Sequence, residues 1–507
     1  MPALVKQRPA RQACTALLIN TSRKMACEKD CSMRRTRILC TIGPASREPG
    51  ILRGLVSSGM DVARLNFSHG DADTHRENVE RIRAAAGAED CVVAIQVDLQ
   101  GPKFRMGRIV GTGVPVTEGD TVTLTTEDLL GRTQEALPVQ NEMFPILVTP
   151  GDRILIDDGL IELRTLSTTE RDVHCKVVVG GTIKSNKGMN LPGVSAELPS
   201  LTEKDHQDLS HALDWEVDWI ALSFVRSAED IDTLKGLIRE RTGRFVPVMA
   251  KIEKPEALDR IEEIIEAADA IMVARGDLGI EIPTERVPMA QKRIIERCNE
   301  MGVPVVTATQ MLDSMMRNPR PTRAEASDVA NALLDGTDAV MLSGETTIGR
   351  YPIEALQTMV RIICEVEGEQ TDIPVRPFRP LEESVNLSIA RAVASAAREA
   401  AHNLDTAAII AITASGHTAR IVSRYRPSAP IIAITPNERV QRRLKLYWGV
   451  TPLLAPRTHN TDDMIANALQ TVQEQGLVEK DNLVAIMAGT AGSKPGTTNL
   501  MRIQVIQ

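Results

Sequence analysis

Residues 246–310 read VPVMAKIEKPEALDRIEEIIEAADAIMVARGDLGIEIPTERVPMAQKRIIERCNEMGVPVVTATQ. Three short apolar runs stand out: Val246–Lys251, Ala270–Val273 and Pro304–Thr307. Each precedes a stretch of helical length, such as 288–301, so the segment reads as strand, helix, strand, helix, strand. Strands separated by helical crossovers run parallel.

The same period extends outward in both directions. Trp219–Phe224 and Asp338–Met341 add strands, the latter after a helix over 321–334. Toward the N-terminus, Arg37–Ile42 is followed by a Gly43-Pro44 turn and a helix near 47–58. Val62–Asn66 is followed by a helix over 71–86, and Cys91–Asp98 is the third strand. Between 103 and 198 the period changes to two, as in Asp120–Thr125, Arg153–Ile156 and Val173–Val179, with a hairpin signal at Asp158-Gly159. This segment reads as an all-β insertion with no helices of its own. Three βα units before it and five after it make eight, which implies a closed barrel. The stretch 352–366 completes the last helix, and the Pro-containing Ile373–Pro380 reads as a linker. Strands at Ala408–Thr413, Ile431–Ile434 and Leu483–Met487 then predict a smaller open sheet. The expected fold is α/β: a (β/α)8 TIM barrel over 33–102 and 199–370, an inserted β-barrel domain over 103–198, and a C-terminal open α/β domain over 371–507.

The chain has 507 residues with ordinary apolar and charged content, but aromatics make up only 2%, which argues against base-stacking platforms for nucleic acid. Residues 1–37 carry nine basic against two acidic side chains, so the rest of the chain bears −15 of a total of −8. Anionic substrates therefore need a local concentration of positive charge. No apolar run reaches the ~20 residues of a membrane span, and no signal-peptide core is visible, so an intracellular, cytoplasmic protein is expected. Cys27 and Cys31 form a lone Cys-x3-Cys among 8 scattered cysteines, which reads as free thiols. Residues 1–32 read as a disordered extension or an overlong upstream start, with a transit peptide as the competing reading.

In such barrels chemistry sits at the carboxyl ends of the strands. The second strand ends in Arg64, Asn66 and Ser68, spaced to face one way, a set suited to phosphate; the alternative is a satisfied polar strand end. The fifth ends in Lys251 and Glu253. The sixth ends in Gly276 and Asp277, the seventh in Thr307 and Thr309, the eighth in Ser343 and Glu345. Carboxylates suit Mg²⁺, and a glycine lets backbone N–H groups approach an anion. Together they point to a Mg²⁺ enzyme acting on a small phosphorylated carboxylate. No Gly-x4-Gly-Lys-Ser/Thr run is present.

These segments also carry a resemblance. Arg64–Gly70 (RLNFSHG), Asp98–Arg105 (DLQGPKFR), Lys187–Gly193 (KGMNLPG), Lys251–Glu253 (KIE), Ala274–Gly279 (ARGDLG), Ala308–Met311 (ATQM), Pro321–Asp335 and Gly336–Thr346 resemble the pyruvate kinase family, from about residue 35 to the end. The resemblance implies transfer of phosphate from phosphoenolpyruvate to ADP, giving pyruvate and ATP, in glycolysis. It assigns Lys251 to the phosphoryl group and enolate, Arg64 to the phosphate, and Glu253 and Asp277 to Mg²⁺ (or Mn²⁺). It gives the substrate carboxylate to backbone N–H groups near Gly276 and Asp277, and the protonation face to Thr309, with Ser343 as a further member of that path. Asn66, Phe67, Ser68, His69, Arg105 and Lys187 match nucleotide contacts, which makes the insertion a lid.

Family members that use K⁺ hold it with positions matching Asn66, Ser68, Asp98 and the carbonyl of Leu99, and usually have glutamate where this chain has Lys103. K⁺-independent activity is expected here, with the Lys103 ammonium standing in for the ion. The segment Thr413, Ser415, Gly416 and Thr418 resembles the family's phosphorylated-effector region, covered by the loop Gly489–Asn499; an ordinary capped helix start is the alternative. The resemblance also implies a homotetramer. Two rivals are a metal-dependent carbon–carbon lyase of the pyruvate-enolate barrel class and a catalytically silent metabolite sensor; nucleic-acid and membrane partners are not expected.

Overall fold

The computed structural model describes residues 34–194, 199–369, 385–458, 460–490 and 496–507. The basic head 1–32, Cys27, Cys31 and the stretch 373–380 lie outside them.

Eight parallel strands close in chain order: β1 (Arg37–Thr41), β2 (Val62–Asn66), β3 (Ala94–Asp98), β4 (Trp219–Leu222), β5 (Val248–Ile252), β6 (Ala270–Ala274), β7 (Val305–Ala308) and β8 (Ala339–Leu342), with β8 pairing back onto β1. Each strand is apolar on both sides because each is buried on both sides. Alternate residues divide into two cores. Ile38, Val97, Ile220, Val273 and Val340 face the helices. Leu39, Val62, Ala94, Trp219, Met249, Met272, Val306 and Met341 fill the interior. With a period of two, the interior file of β2 continues to Arg64 and Asn66, that of β3 to Asp98, that of β5 to Lys251 and that of β8 to Ser343, so the functional groups emerge at the mouth.

The opposite end is built on a repeat. Asp61, Asp218, Asp269 and Asp338 immediately precede β2, β4, β6 and β8. Each accepts a backbone N–H from the neighbouring odd strand: Ile38 (3.0 Å), Ile95 (2.9 Å), Val248 (2.9 Å) and Val305 (2.8 Å). Three of these carboxylates also hold cations from the C-terminal part: Lys445 on Asp61, Arg442 on Asp218 and Arg426 on Asp338. Leu446 from the same part is fully buried and packs into the barrel interior.

The insertion folds as a seven-stranded sheet in the order Phe104–Arg105, Gly188–Asn190, Arg153–Ile156, Ile161–Thr168, Asp172–Val179, Thr121–Thr125, Leu137–Pro138. Its edges meet through a Met106–Val139 bridge, so the sheet curls back on itself. The hairpin at Asp158-Gly159 joins Ile156 to Ile161. The expectation of a helix-free insertion is corrected by one turn, Phe144–Leu147: Asn141 accepts the Met143 N–H, Pro145 pre-sets the helical φ, and Phe144 plugs the insertion's own core. A single turn leaves no periodicity to read.

After the helix Val385–Asn403 comes a five-stranded sheet: β9 (Ala408–Ile412), β10 (Ile431–Thr435), β11 (Val450–Leu454), β12 (Leu483–Ala488) and antiparallel β13 (Leu500–Val505), in spatial order β11-β10-β9-β12-β13. The sequence reading missed β11 and β13. Both are edge strands; β11 contains Pro452, tolerated only at an edge, and β13 alternates Arg502 and Gln504 into its run.

Candidate active site

The barrel mouth opens into a cleft of about 870 Å³. Arg64, Asn66, Ser68, His69, Lys103, Arg105, Lys187, Lys251, Glu253, Gly276, Asp277, Thr309 and Ser343 all line it. Lys251 lies at its base. Its Nζ donates to Ser223 Oγ (2.7 Å) and pairs with Asp98 (3.1 Å) and Glu253 (2.9 Å). Burial alone would push this ammonium down; Asp98 and Glu253 outweigh it and hold the pKa above the ordinary lysine value. Lys251 is therefore a fixed positive charge.

Asp98, at the end of β3, also takes Nε and Nη2 of Arg64 at 2.8 and 2.6 Å, while Arg64 Nη1 donates to Thr41 Oγ1 at 3.0 Å. Against the effect of burial, Lys251 and Arg64 keep the Asp98 carboxyl below its usual range. Three of the five guanidinium N–H groups are used in this way, which leaves two for an anion. Ser223, absent from the sequence reading, donates to the Leu99 carbonyl at 2.7 Å. It lies two places beyond the interior residue Ala221, and strand periodicity could have found it.

Glu253 and Asp277 are the cleft carboxylates that pair with its lysines Lys251 and Lys103. Burial pushes the Glu253 carboxyl up, and the Asp277 charge adds to this against Lys251. Asp277 stays below its usual range because Lys103 and Lys251 overcome its burial. Two hard oxygen donors whose charges repel fit a small divalent cation. Among the described residues no group of three or more His, Cys, Asp or Glu side chains is assembled to hold a metal.

Several side chains are engaged in partnerships that the sequence did not show. Lys103 Nζ lies 3.0 Å from Asp277, not on Asp98, whose oxygens are taken by Arg64 and Lys251. The Phe67 ring does not reach the cleft; it is buried, stacked on His75 at 4.2 Å. The Gly276 N–H is not open: as an orphan donor at the start of the helix Arg275–Glu281, it is capped by Thr309 Oγ1 at 2.7 Å. Lys187 pairs with Asp157 across the lid at 2.8 Å. Ser343 Oγ is buried and has no hydrogen-bond partner among the described residues.

Thr309 sits in the left-handed region (φ 70°), as does Gln310 (φ 53°), an uncommon state for a β-branched residue. Arg275 holds it there: Nη2 donates to the Thr309 carbonyl at 2.7 Å and Nε to the Ala308 carbonyl at 3.2 Å, while Nη1 pairs with Asp328 at 2.8 Å. The sequence reading passed over Arg275 because it points away from the interior file.

In the C-terminal sheet, the chain reverses direction on either side of β9, the topological switch point where ligands bind in open α/β sheets. A pocket of about 190 Å³ lies there, lined by Thr413, Ser415, Thr418, Arg457 and Thr490. Gly416, in the left-handed region, precedes the helix His417–Arg424 and donates its N–H to Thr413 Oγ1 at 2.9 Å. Residues 491–495 of the covering loop lie outside the described set.

A closed eight-stranded barrel whose mouth gathers Arg64, Lys103 and Lys251 around Glu253 and Asp277, under a β insertion, defines an α/β-barrel enzyme for phosphorylated substrates. The chain matches the family model "pyruvate kinase, barrel domain" over residues 33–356 and "pyruvate kinase, alpha/beta domain" over 391–504. It is 46% identical to pyruvate kinase 2 of Synechocystis sp. over 478 residues, 94% of this chain and 80% of that protein. It is 45% identical to the pyruvate kinase of Mycobacterium tuberculosis over 473 residues, 93% of this chain and 98% of that one. A crystal structure of a pyruvate kinase from Cryptosporidium parvum superposes with a TM-score of 0.85 at 38% identity, covering 95% of this chain and 98% of that one. The chain belongs to the pyruvate kinase family. Among the described residues no helix is long and apolar enough to cross a membrane.

Proposed function

We infer that this chain moves the phosphoryl group of phosphoenolpyruvate to ADP, yielding pyruvate and ATP, as the last step of glycolysis in the cytoplasm. The observation that carries this reading is the convergence of Lys251, Arg64, Glu253 and Asp277 on one cleft. Phosphoryl transfer needs positioning and cationic stabilisation more than a covalent nucleophile. Arg64, braced by Asp98, turns its remaining N–H groups to the substrate phosphate. Lys251 neutralises the group in transfer and steadies the enolate oxygen. Glu253 and Asp277 would hold a divalent cation, Mg²⁺ or Mn²⁺, which would supply charge neutralisation to the phosphorylated substrate. Asn66, Ser68, His69 and Arg105 receive the nucleotide phosphates, and Lys187 approaches them from the lid, which excludes water. Thr309 and Ser343 line the face on which the enolate is protonated.

Activity without K⁺ is proposed from Lys103, whose tethered ammonium lies in the same cleft where relatives that use K⁺ carry a glutamate. A phosphorylated effector is proposed at Thr413, Ser415, Gly416 and Thr418, and a homotetramer is the proposed assembly. Pyruvate formation from phosphoenolpyruvate and ADP with Mg²⁺, run with K⁺ and with a bulky inert cation, tests both readings. Equal rates are expected. Activity only with K⁺ removes the Lys103 argument, and no pyruvate in either buffer removes the kinase. Ser415→Asp is expected to abolish the response to an activating phosphorylated effector; an unchanged response removes that site.

A further inference from the structure

The helix Arg275–Glu281 carries two acids one turn apart, Asp277 and Glu281. Each grips one of the two chain segments that attach the lid. Where the chain leaves the barrel, Lys103 pairs with Asp277 at 3.0 Å. Where it returns, Asn190, the last residue of the strand Gly188–Asn190, donates Nδ2 to Glu281 Oε1 at 3.0 Å. Lys254 Nζ reaches the same oxygen at 2.8 Å.

We propose that Glu281 is a positioning residue that sets the lid over the mouth and so delivers Lys187 to the nucleotide. Its side chain is 1% exposed. A buried carboxylate is a weak device for stability and a good one for fixing geometry. Here it fixes three segments at once. Lys254 follows Glu253 directly and lies over the Phe224 ring at 5.9 Å, while the Phe224 N–H donates to Glu253 Oε2 at 2.8 Å. The lid's return strand is thereby registered against both segments that carry the cleft carboxylates. Lys187 lies three residues before Asn190, within about 10 Å along the chain, so a shift at Asn190 carries Lys187 with it. Asp277 has a second duty at the metal, which makes its hold on Lys103 exchangeable; Glu281 has none.

This inference rests on the reading of Lys187 as a nucleotide contact. The test uses the full chain with Glu281→Ala and Asn190→Ala, the latter leaving the Lys254–Glu281 pair intact. Steady-state constants are measured for both substrates, and backbone hydrogen exchange is followed over the lid strands without ligands. Loss of a hydrogen bond to a carboxylate predicts about a tenfold rise in the KM for ADP. The KM for phosphoenolpyruvate is expected to stay within about twofold and lid exchange to quicken, with the double variant no worse than Glu281→Ala alone, as residues sharing one interaction require. Unchanged lid exchange in Asn190→Ala, equal shifts in both KM values, or additive effects overturn the proposal. Absence of turnover in the unsubstituted chain overturns the kinase reading instead, and lid exchange still reports on the anchor.

Discussion

Replacing Arg275 with lysine tests how the seventh strand end is held in its working shape. The guanidinium donates to two carbonyls, Ala308 and Thr309, and pairs with Asp328, three directions that one ammonium cannot serve together. A buried carbonyl left without its donor costs about 1–3 kcal/mol. Thr309 itself is held in a left-handed conformation that costs roughly 1–2 kcal/mol. Without Arg275, that stored strain favours relaxation to ordinary φ, which carries Thr309 Oγ1 off the Gly276 N–H it now caps at 2.7 Å. If about half of a combined ~2–5 kcal/mol falls on the transition state, kcat/KM for phosphoenolpyruvate drops about 5- to 70-fold, at 1.36 kcal/mol per decade. Initial rates at varied phosphoenolpyruvate and saturating ADP measure it, with thermal unfolding as the folding control. Arg275→Lys with kcat/KM within about twofold of the unsubstituted chain would refute the account of Arg275 as the clamp on Thr309.

Lys251→Met keeps the length of the side chain and removes its charge; a fall in kcat of about a thousandfold is expected from pyruvate formation, and a residual rate above a tenth contradicts the role given to the ammonium. Asp61→Asn leaves Arg34, Arg37 and Lys445 around a neutral group, and a loss of about 3–5 kcal/mol should lower the thermal midpoint. Despite burial, these cations hold the Asp61 carboxyl below its usual range. Its stabilisation is thus complete above the unfolded value of about 3.9 and fades only as pH falls through the lower folded value, so the deficit should be constant between pH 7 and 5. His417 is pushed down to about 4 by burial and by the Arg420 and Arg391 charges. Its unfolded form gains a proton near pH 6.5, so the folded state loses stability as pH falls from there toward 4; differential scanning of His417→Asn should show a shallower fall, and an identical profile counts against it.

The barrel was legible because its strands are continuous apolar runs separated by helices, and β2 begins and ends at the residues read from sequence. The mouth was legible because functional residues stand two apart at strand ends, as Lys251 and Glu253 do. Tertiary partnerships were not. Nothing local in the sequence indicates that Lys103 meets Asp277, 174 positions away, or that Glu281 meets Asn190. The left-handed turn at Thr309 was hidden for the same reason, since a distant arginine sustains it against the preference of threonine. One signal was present and passed over: an aspartate before every second strand, in MDVARLN, VDWIALS, ADAIMVA and TDAVMLS.

Those aspartates bear on how the molecule is inherited and assembled. The catalytic and C-terminal parts do not behave as beads on a string. Removing the latter would uncover the interior around Trp219 where Leu446 now rests, and would take a cation from three of the four carboxylates at that end. Charges inside a low-dielectric wall cannot be abandoned cheaply. A barrel cut free at residue 369 is expected to be insoluble or unfolded, and an exchange of C-terminal parts between relatives should succeed only when the donor brings matching cations to Asp61, Asp218 and Asp338.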